Sequence, residues 1–61
     1  MSDDETFEVL ARATFRTGVQ TLERGLDGGY YVTIRNRSYR SRQPIPAEKA
    51  PVWFERLTRR S

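Results

Sequence analysis

The chain has 61 residues but no cysteine and no histidine, so it must fold without disulfides and without a Cys/His zinc site. A chain this short buries only about 60% of its unfolded surface, which leaves a thin margin of stability. Its 36% hydrophobic content and 11% aromatic content still favour a folded chain over a disordered one. We therefore expect one small domain held by its apolar core, and a homodimer would be one way to cover leftover apolar surface.

A β-hairpin is the clearest local structure in the sequence. Residues 27–29 (Asp-Gly-Gly) are a strong turn signal because glycine adopts positive φ without steric cost. The next five residues, 30–34, are aromatic or β-branched throughout, as is typical of a strand. Residues 36–37 (Asn-Arg) suit a second, two-residue turn, although arginine fits its second position less well than glycine. Residues 38–42 are then expected to return antiparallel to the strand.

The C-terminal segment predicts a helix. Four apolar side chains fall at i, i+3, i+4 and i+7, on one helix face: Ala50, Trp53, Phe54 and Leu57. Pro51 fits this helix only in its first turn, where its missing N–H is not needed. We expect the helix to cap one face of a sheet, with Trp53 and Leu57 packed on Val32 and Ile34.

The first third of the chain has two interpretations. As a strand, residues 7–15 alternate; as a helix, they form an apolar stripe, with a capping box at Ser2 and Glu5 and an end at Gly18. Threonine and valine favour the strand slightly. The strand interpretation predicts an α+β fold: a small antiparallel β-meander of three to four strands packed by one C-terminal helix. The helical interpretation predicts a winged-helix-like fold, with residues 30–42 as the wing.

The domain organisation expected from the sequence is an acidic tail followed by one domain. Residues 1–5 contain three acidic side chains without apolar spacing, so we expect a mobile tail that is dispensable for folding. Residues 6–61 are expected to form the single α+β domain. The acidic start has the wrong sign for a signal peptide, and no apolar run approaches the ~20 residues of a membrane span. The expected location is the cytoplasm, without membrane binding.

Catalysis is not expected from this composition. Without histidine or cysteine, acid–base chemistry would fall to aspartate and glutamate alone, and half of these lie at the N-terminus. The sequence contains no phosphate-cradling glycine motif, and its acidic residues lack the loop pattern of a calcium site. We therefore expect no catalytic residue, no cofactor and no metal site.

One segment stands out by its charge, because residues 35–42 contain four arginines and no acidic residue. With the two-residue turn at 36–37, the expected pairing places Arg35 opposite Ser38. Alternation along the strands then gives one core-like face, which includes Tyr39, and one arginine-rich face. Guanidinium groups bind phosphate in bidentate fashion, and a tyrosine ring can stack on a base. The predicted nucleic-acid-binding residues are Tyr31, Arg35, Arg37, Arg40 and Arg42.

These residues predict a small non-enzymatic protein that binds nucleic acid, with DNA as the first expectation. Its size and charge are typical of the accessory or regulatory proteins of phages and plasmids. The alternative is a protein–protein interaction module or inhibitor, which docks its arginine face on an acidic surface of a larger protein or dimerises through Trp53 and Phe54. Basic residues on an edge hairpin also deter aggregation, so charge alone does not decide between these functions.

Overall fold

The computed structural model describes residues 7–60, which form a four-stranded antiparallel sheet and one C-terminal helix. The strands follow one another across the sheet in chain order, so hairpins connect them. The elements are β1 (Phe7–Phe15), β2 (Gly18–Gly25), β3 (Tyr30–Arg35), β4 (Arg40–Ile45), a 3₁₀ turn (Ala47–Lys49) and α1 (Ala50–Arg60). The predicted α+β meander is confirmed, and the winged-helix-like alternative is wrong. The predicted acidic tail, residues 1–5, lies outside the described residues.

β1 contains a bulge that changes the sheet face on which its odd-numbered side chains lie. In its pairing with β2, Val9 lies opposite Glu23 and Ala11 lies opposite Leu22, so Leu10 has no partner. One extra residue reverses the alternation of side chains along a strand. Phe7 and Val9 therefore project from the open side of the sheet, whereas Ala11 and Ala13 project into the core. Leu10, apolar where alternation calls for a polar residue, packs against the core as well.

The predicted glycine turn joins β2 to β3. Gly28 has φ of +83°, a conformation that strains a residue with a side chain. The Gly25 N–H donates to the Gly29 carbonyl at 2.9 Å, and the Gly28 N–H donates to the Gly25 carbonyl at 3.0 Å. The Asp27 carboxylate accepts the Gly29 N–H at 2.9 Å, which lowers the pKa of Asp27. The Asp27 side chain and the glycines thus stabilise the same turn.

The β3–β4 connection differs from the predicted two-residue turn. Arg35 pairs with Arg40 rather than with Ser38, so the loop has four residues. The Asn36 side chain accepts the Ser38 N–H at 3.0 Å, and the Asn36 N–H donates to the Tyr39 carbonyl at 2.8 Å. The tight turn would need positive φ at both central residues, which no described non-glycine residue adopts. This two-residue shift of the β3–β4 pairing keeps the strand residues on their predicted faces. Tyr39, predicted on the core-like face, instead lies in the loop and is 54% exposed.

α1 packs on one face of the sheet, over β1 and β2. The buried core is a cluster of aliphatic side chains from both layers: Ala11, Ala13, Leu22, Val32 and Leu57. Trp53 and Ile34 are partly buried and pack against this cluster. Phe54 was predicted on the same helix face but is 47% exposed, because it lies about 60° around the helix from Leu57, away from Trp53. Within residues 7–60, no helix is long and apolar enough to span a membrane.

Candidate nucleic-acid interface

The sheet face turned away from α1, which we call the open face, presents a cluster of charged side chains. Alternation along the strands places four arginines on it, one from β1, one from β3 and two from β4: Arg12, Arg35, Arg40 and Arg42. They surround a hollow of about 180 Å³. Glu23, Thr21 and Thr33 come from the two central strands and form the floor of this hollow.

Three of the four arginines have guanidinium groups without a partner among residues 7–60. Arg12, Arg35 and Arg40 are exposed, and their guanidinium groups have no ion-pair or hydrogen-bond partner within the described part of the chain. Arg35 and Arg40 are also direct cross-strand partners. Like charges in that position destabilise a sheet. An anion bound between them would remove this repulsion, so the open face is suited to an anionic ligand.

Arg42 differs from the other three because the sheet already neutralises it. Its guanidinium lies 3.1 Å from the Glu23 carboxylate, and its Nε–H donates to Glu23 at 3.2 Å and to the Thr33 hydroxyl at 3.3 Å. The Thr21 hydroxyl donates to the other Glu23 oxygen at 2.7 Å. The Arg42 and Glu23 side chains are only 19% and 8% exposed. These contacts, which we call the Arg42–Glu23 network, fix Arg42 on the sheet.

Phe7 and Tyr31 lie together at one corner of the open face. The Arg42 Cζ atom lies 3.8 Å above the centre of the Phe7 ring, and the Phe7 and Tyr31 rings meet edge to face at 5.2 Å. The Tyr31 hydroxyl donates to the Asp27 carboxylate at 2.9 Å, which raises the pKa of Tyr31. The Tyr31 ring and hydroxyl are therefore both engaged at this corner, and Tyr31 does not line the hollow.

The structure brings most of the sequence-predicted site residues together. Three of the five line the hollow, Tyr31 lies at the aromatic corner, and Arg37 lies in the β3–β4 loop. The β1–β2 turn reaches the same end of the sheet, so Arg16 and Arg37 line one shallow depression there. The positive surface thus continues from the open face onto this end of the sheet.

Sequence reasoning did not include Arg12, Arg16 or Glu23 in the site. Arg12 lies between the small, buried Ala11 and Ala13, so strand alternation alone could have placed it on the outer face. Glu23 gives no such signal, because it is 19 residues from Arg42 and reaches it across β3. The neutralisation of Arg42 by Glu23 can be recognised only when the pairing of the strands is known.

Comparison of the chain with protein-family models, curated proteins and solved structures found no match in any of the three. Function must therefore be inferred from the chemistry of the open face. Within residues 7–60, no group of three or more potential metal-binding side chains is present. Among the described residues, the charged groups that remain unpaired around the hollow are cationic.

Proposed function

We propose that this protein binds nucleic acid by holding phosphate groups on the open face, in an accessory or regulatory role rather than a catalytic one. The observation that carries this proposal is the set of three free guanidinium groups, Arg12, Arg35 and Arg40, around one hollow. Guanidinium groups match the geometry of phosphate oxygens, and threonine hydroxyls are common phosphate donors. The unpaired arginines supply the first kind of donor, and the Thr33 hydroxyl, which accepts from Arg42, retains its O–H as the second.

The open face retains positive charge after its internal ion pair is taken into account. Glu23 is the one acidic residue among those lining the hollow, and Arg42 already pairs with it. Within the part of the chain that the structure describes, three arginine charges therefore remain unpaired around the hollow. Arg16 and Arg37 extend this charge beyond the end of the sheet, which favours a long polyanion over a single small anion.

An acidic protein surface is the competing ligand for the same charges. Protein–protein interfaces usually depend on aromatic and arginine side chains near their centre. Here Phe7 and Tyr31 lie at a corner and contact Arg42 and Asp27. The hollow itself is lined by hydroxyl groups, a neutralised carboxylate and two valines, but by no aromatic side chain. This arrangement fits phosphate esters better than the side chains of a protein partner.

Salt dependence of binding tests the proposal. With three phosphate contacts, fluorescence anisotropy should give a log–log slope of about −2.1 on single strands or about −2.7 on duplex, from roughly −0.7 and −0.9 per contact. Loss of one arginine should reduce the magnitude of the slope by the contribution of one contact, about 0.7 on single strands or 0.9 on duplex. The variants to compare are Arg12→Gln, Arg35→Gln and Arg40→Gln. Each should weaken binding to all sequences alike.

Arg59→Gln is the matched control, because it removes the same charge at a position on α1. Arg59 pairs with Glu55 at 2.7 Å and is largely exposed, so its replacement should leave both slope and affinity nearly unchanged. The proposal is wrong if the protein ignores nucleic acid at about 50 mM salt, where contacts to phosphate are strong. It is equally wrong if Arg59→Gln changes the slope as much as Arg40→Gln does.

A further inference from the structure

The guanidinium group of Arg42 is held as a fixed plane on the open face. Phe7 lies beneath it, with the Arg42 Cζ atom 3.8 Å above the ring centre. Glu23 and Thr33 accept hydrogen bonds in the direction of the sheet. The Arg42 side chain is still 19% exposed. Since Phe7 covers one side of the guanidinium and the acceptors take up its Nε edge, the opposite side is the one open to a ligand.

We propose that this exposed surface of Arg42 is a stacking platform for one unpaired base, so that the nucleic acid bound by the open face is single-stranded. This inference rests on the proposed function and names its substrate class. Arginine planes stack on unpaired bases much as aromatic rings do. Because Glu23 neutralises Arg42, the contribution of Arg42 to binding comes from the flat surface of its guanidinium rather than from contact with a phosphate.

The arginines without a partner share the open face with Arg42. Arg42 and Arg40 are two residues apart on β4 and share the open face, so their Cα atoms lie about 6.8 Å apart. Arg35 lies directly opposite Arg40 on β3. The Arg42 side chain extends across β3 to reach Glu23 on β2. A base stacked on its guanidinium therefore lies over the two middle strands, on the face where Arg35 and Arg40 can hold the phosphates of its backbone.

A duplex cannot use the same platform. The faces of its bases are covered by neighbouring bases, and a base reaches a protein surface only after it leaves the stack. Arg42 is confined to the sheet by its network and cannot extend between base pairs. Duplex binding is therefore limited to the phosphate contacts of the free arginines.

The test compares three probes of equal length: a thymidine oligonucleotide, an abasic deoxyribose-phosphate strand, and the thymidine strand annealed to its complement. The wild-type protein should bind the thymidine strand about 5- to 100-fold more tightly than the abasic strand, as one stacked base provides. Arg42→Lys keeps the charge next to Glu23 but removes the planar group, so this ratio should fall to near one. Arg40→Lys is the matched control and should keep the ratio.

A second readout does not depend on the stability of any variant. The Nε–H resonance of wild-type Arg42 should shift on addition of the thymidine strand but not of the abasic strand. Equal affinity for the two strands, with salt-dependent binding retained, would overturn the platform and leave the proposed function standing. Absence of binding to all three probes would overturn both. A ratio that survives Arg42→Lys would also overturn the platform, because the base would then stack elsewhere.

Discussion

Leu57→Ala is expected to lower the free energy of unfolding by about 2–5 kcal/mol, measured by chemical denaturation followed by circular dichroism. Leu57 is fully buried and is the helix residue in the core cluster with Leu22 and Val32. A core of this size rarely supplies more than about 3–5 kcal/mol in total. The variant should therefore be largely unfolded at room temperature.

Phe54→Ala is the matched control for this prediction. Phe54 is the larger side chain and belongs to the same sequence stripe, but it is 47% exposed. Its replacement should cost much less than that of Leu57, because burial and not hydrophobicity sets the loss. Equal losses for the two variants would show that α1 does not meet the sheet along the line of Trp53 and Leu57.

Glu23→Ala is expected to cost about 3 kcal/mol, near the lower end of the range for breaking a buried ion pair. The substitution leaves the partly buried Arg42 without its carboxylate and removes the acceptor of the Thr21 hydroxyl. Thermal and denaturant unfolding both measure the loss. The pair spans β2 and β4, so its loss should weaken the sheet across three strands.

Glu55→Ala provides the comparison, because it breaks the other described glutamate–arginine pair. Glu55 and Arg59 are one turn apart on α1, with side chains 65% and 77% exposed. Exposed pairs of this kind contribute about 0.3–0.5 kcal/mol. If Glu23→Ala costs no more than Glu55→Ala, the Arg42–Glu23 network does not fix Arg42, and the stacking platform loses its basis.

The fold could be predicted where local chemistry decides it. The Asp-Gly-Gly turn needs a residue with positive φ, and Gly28 supplies it. The helix follows from the spacing of Ala50, Trp53 and Leu57, and Pro51 lies in its first turn as expected. These features depend on residues that are close in sequence, so the pattern contains the necessary information.

The remaining features depend on how distant segments pair. The bulge at Leu10 moves Phe7 and Val9 to the open face. Leu10 is apolar where alternation calls for a polar residue, but the sequence alone does not say that this marks a bulge. The β3–β4 loop has four residues because Arg35 pairs with Arg40, and the Ser38 N–H then donates to the Asn36 side chain in place of the expected tight turn. Both determine the register, and the register decides which charges meet.

The candidate site shows the same division. Arg35, Arg40 and Arg42 were expected to share one face, and the alternation of side chains places them there despite the shifted register. The pairing of Arg42 with Glu23 across β3 could not be read from the sequence. That pairing distinguishes Arg42, which is fixed on the sheet, from the arginines without a partner. Both proposals depend on this difference.

The central claim is that the open face, and not the helix, contacts nucleic acid. The most direct test is a ¹H–¹⁵N NMR titration of the protein with a single-stranded oligonucleotide at low salt, with heparin as a polyanion control. Shifts should concentrate at Arg12, Thr33, Arg35 and Arg40, while the exposed Val52 and Phe54 on α1 stay unchanged. Shifts confined to α1, or no shifts at low salt, would contradict the account.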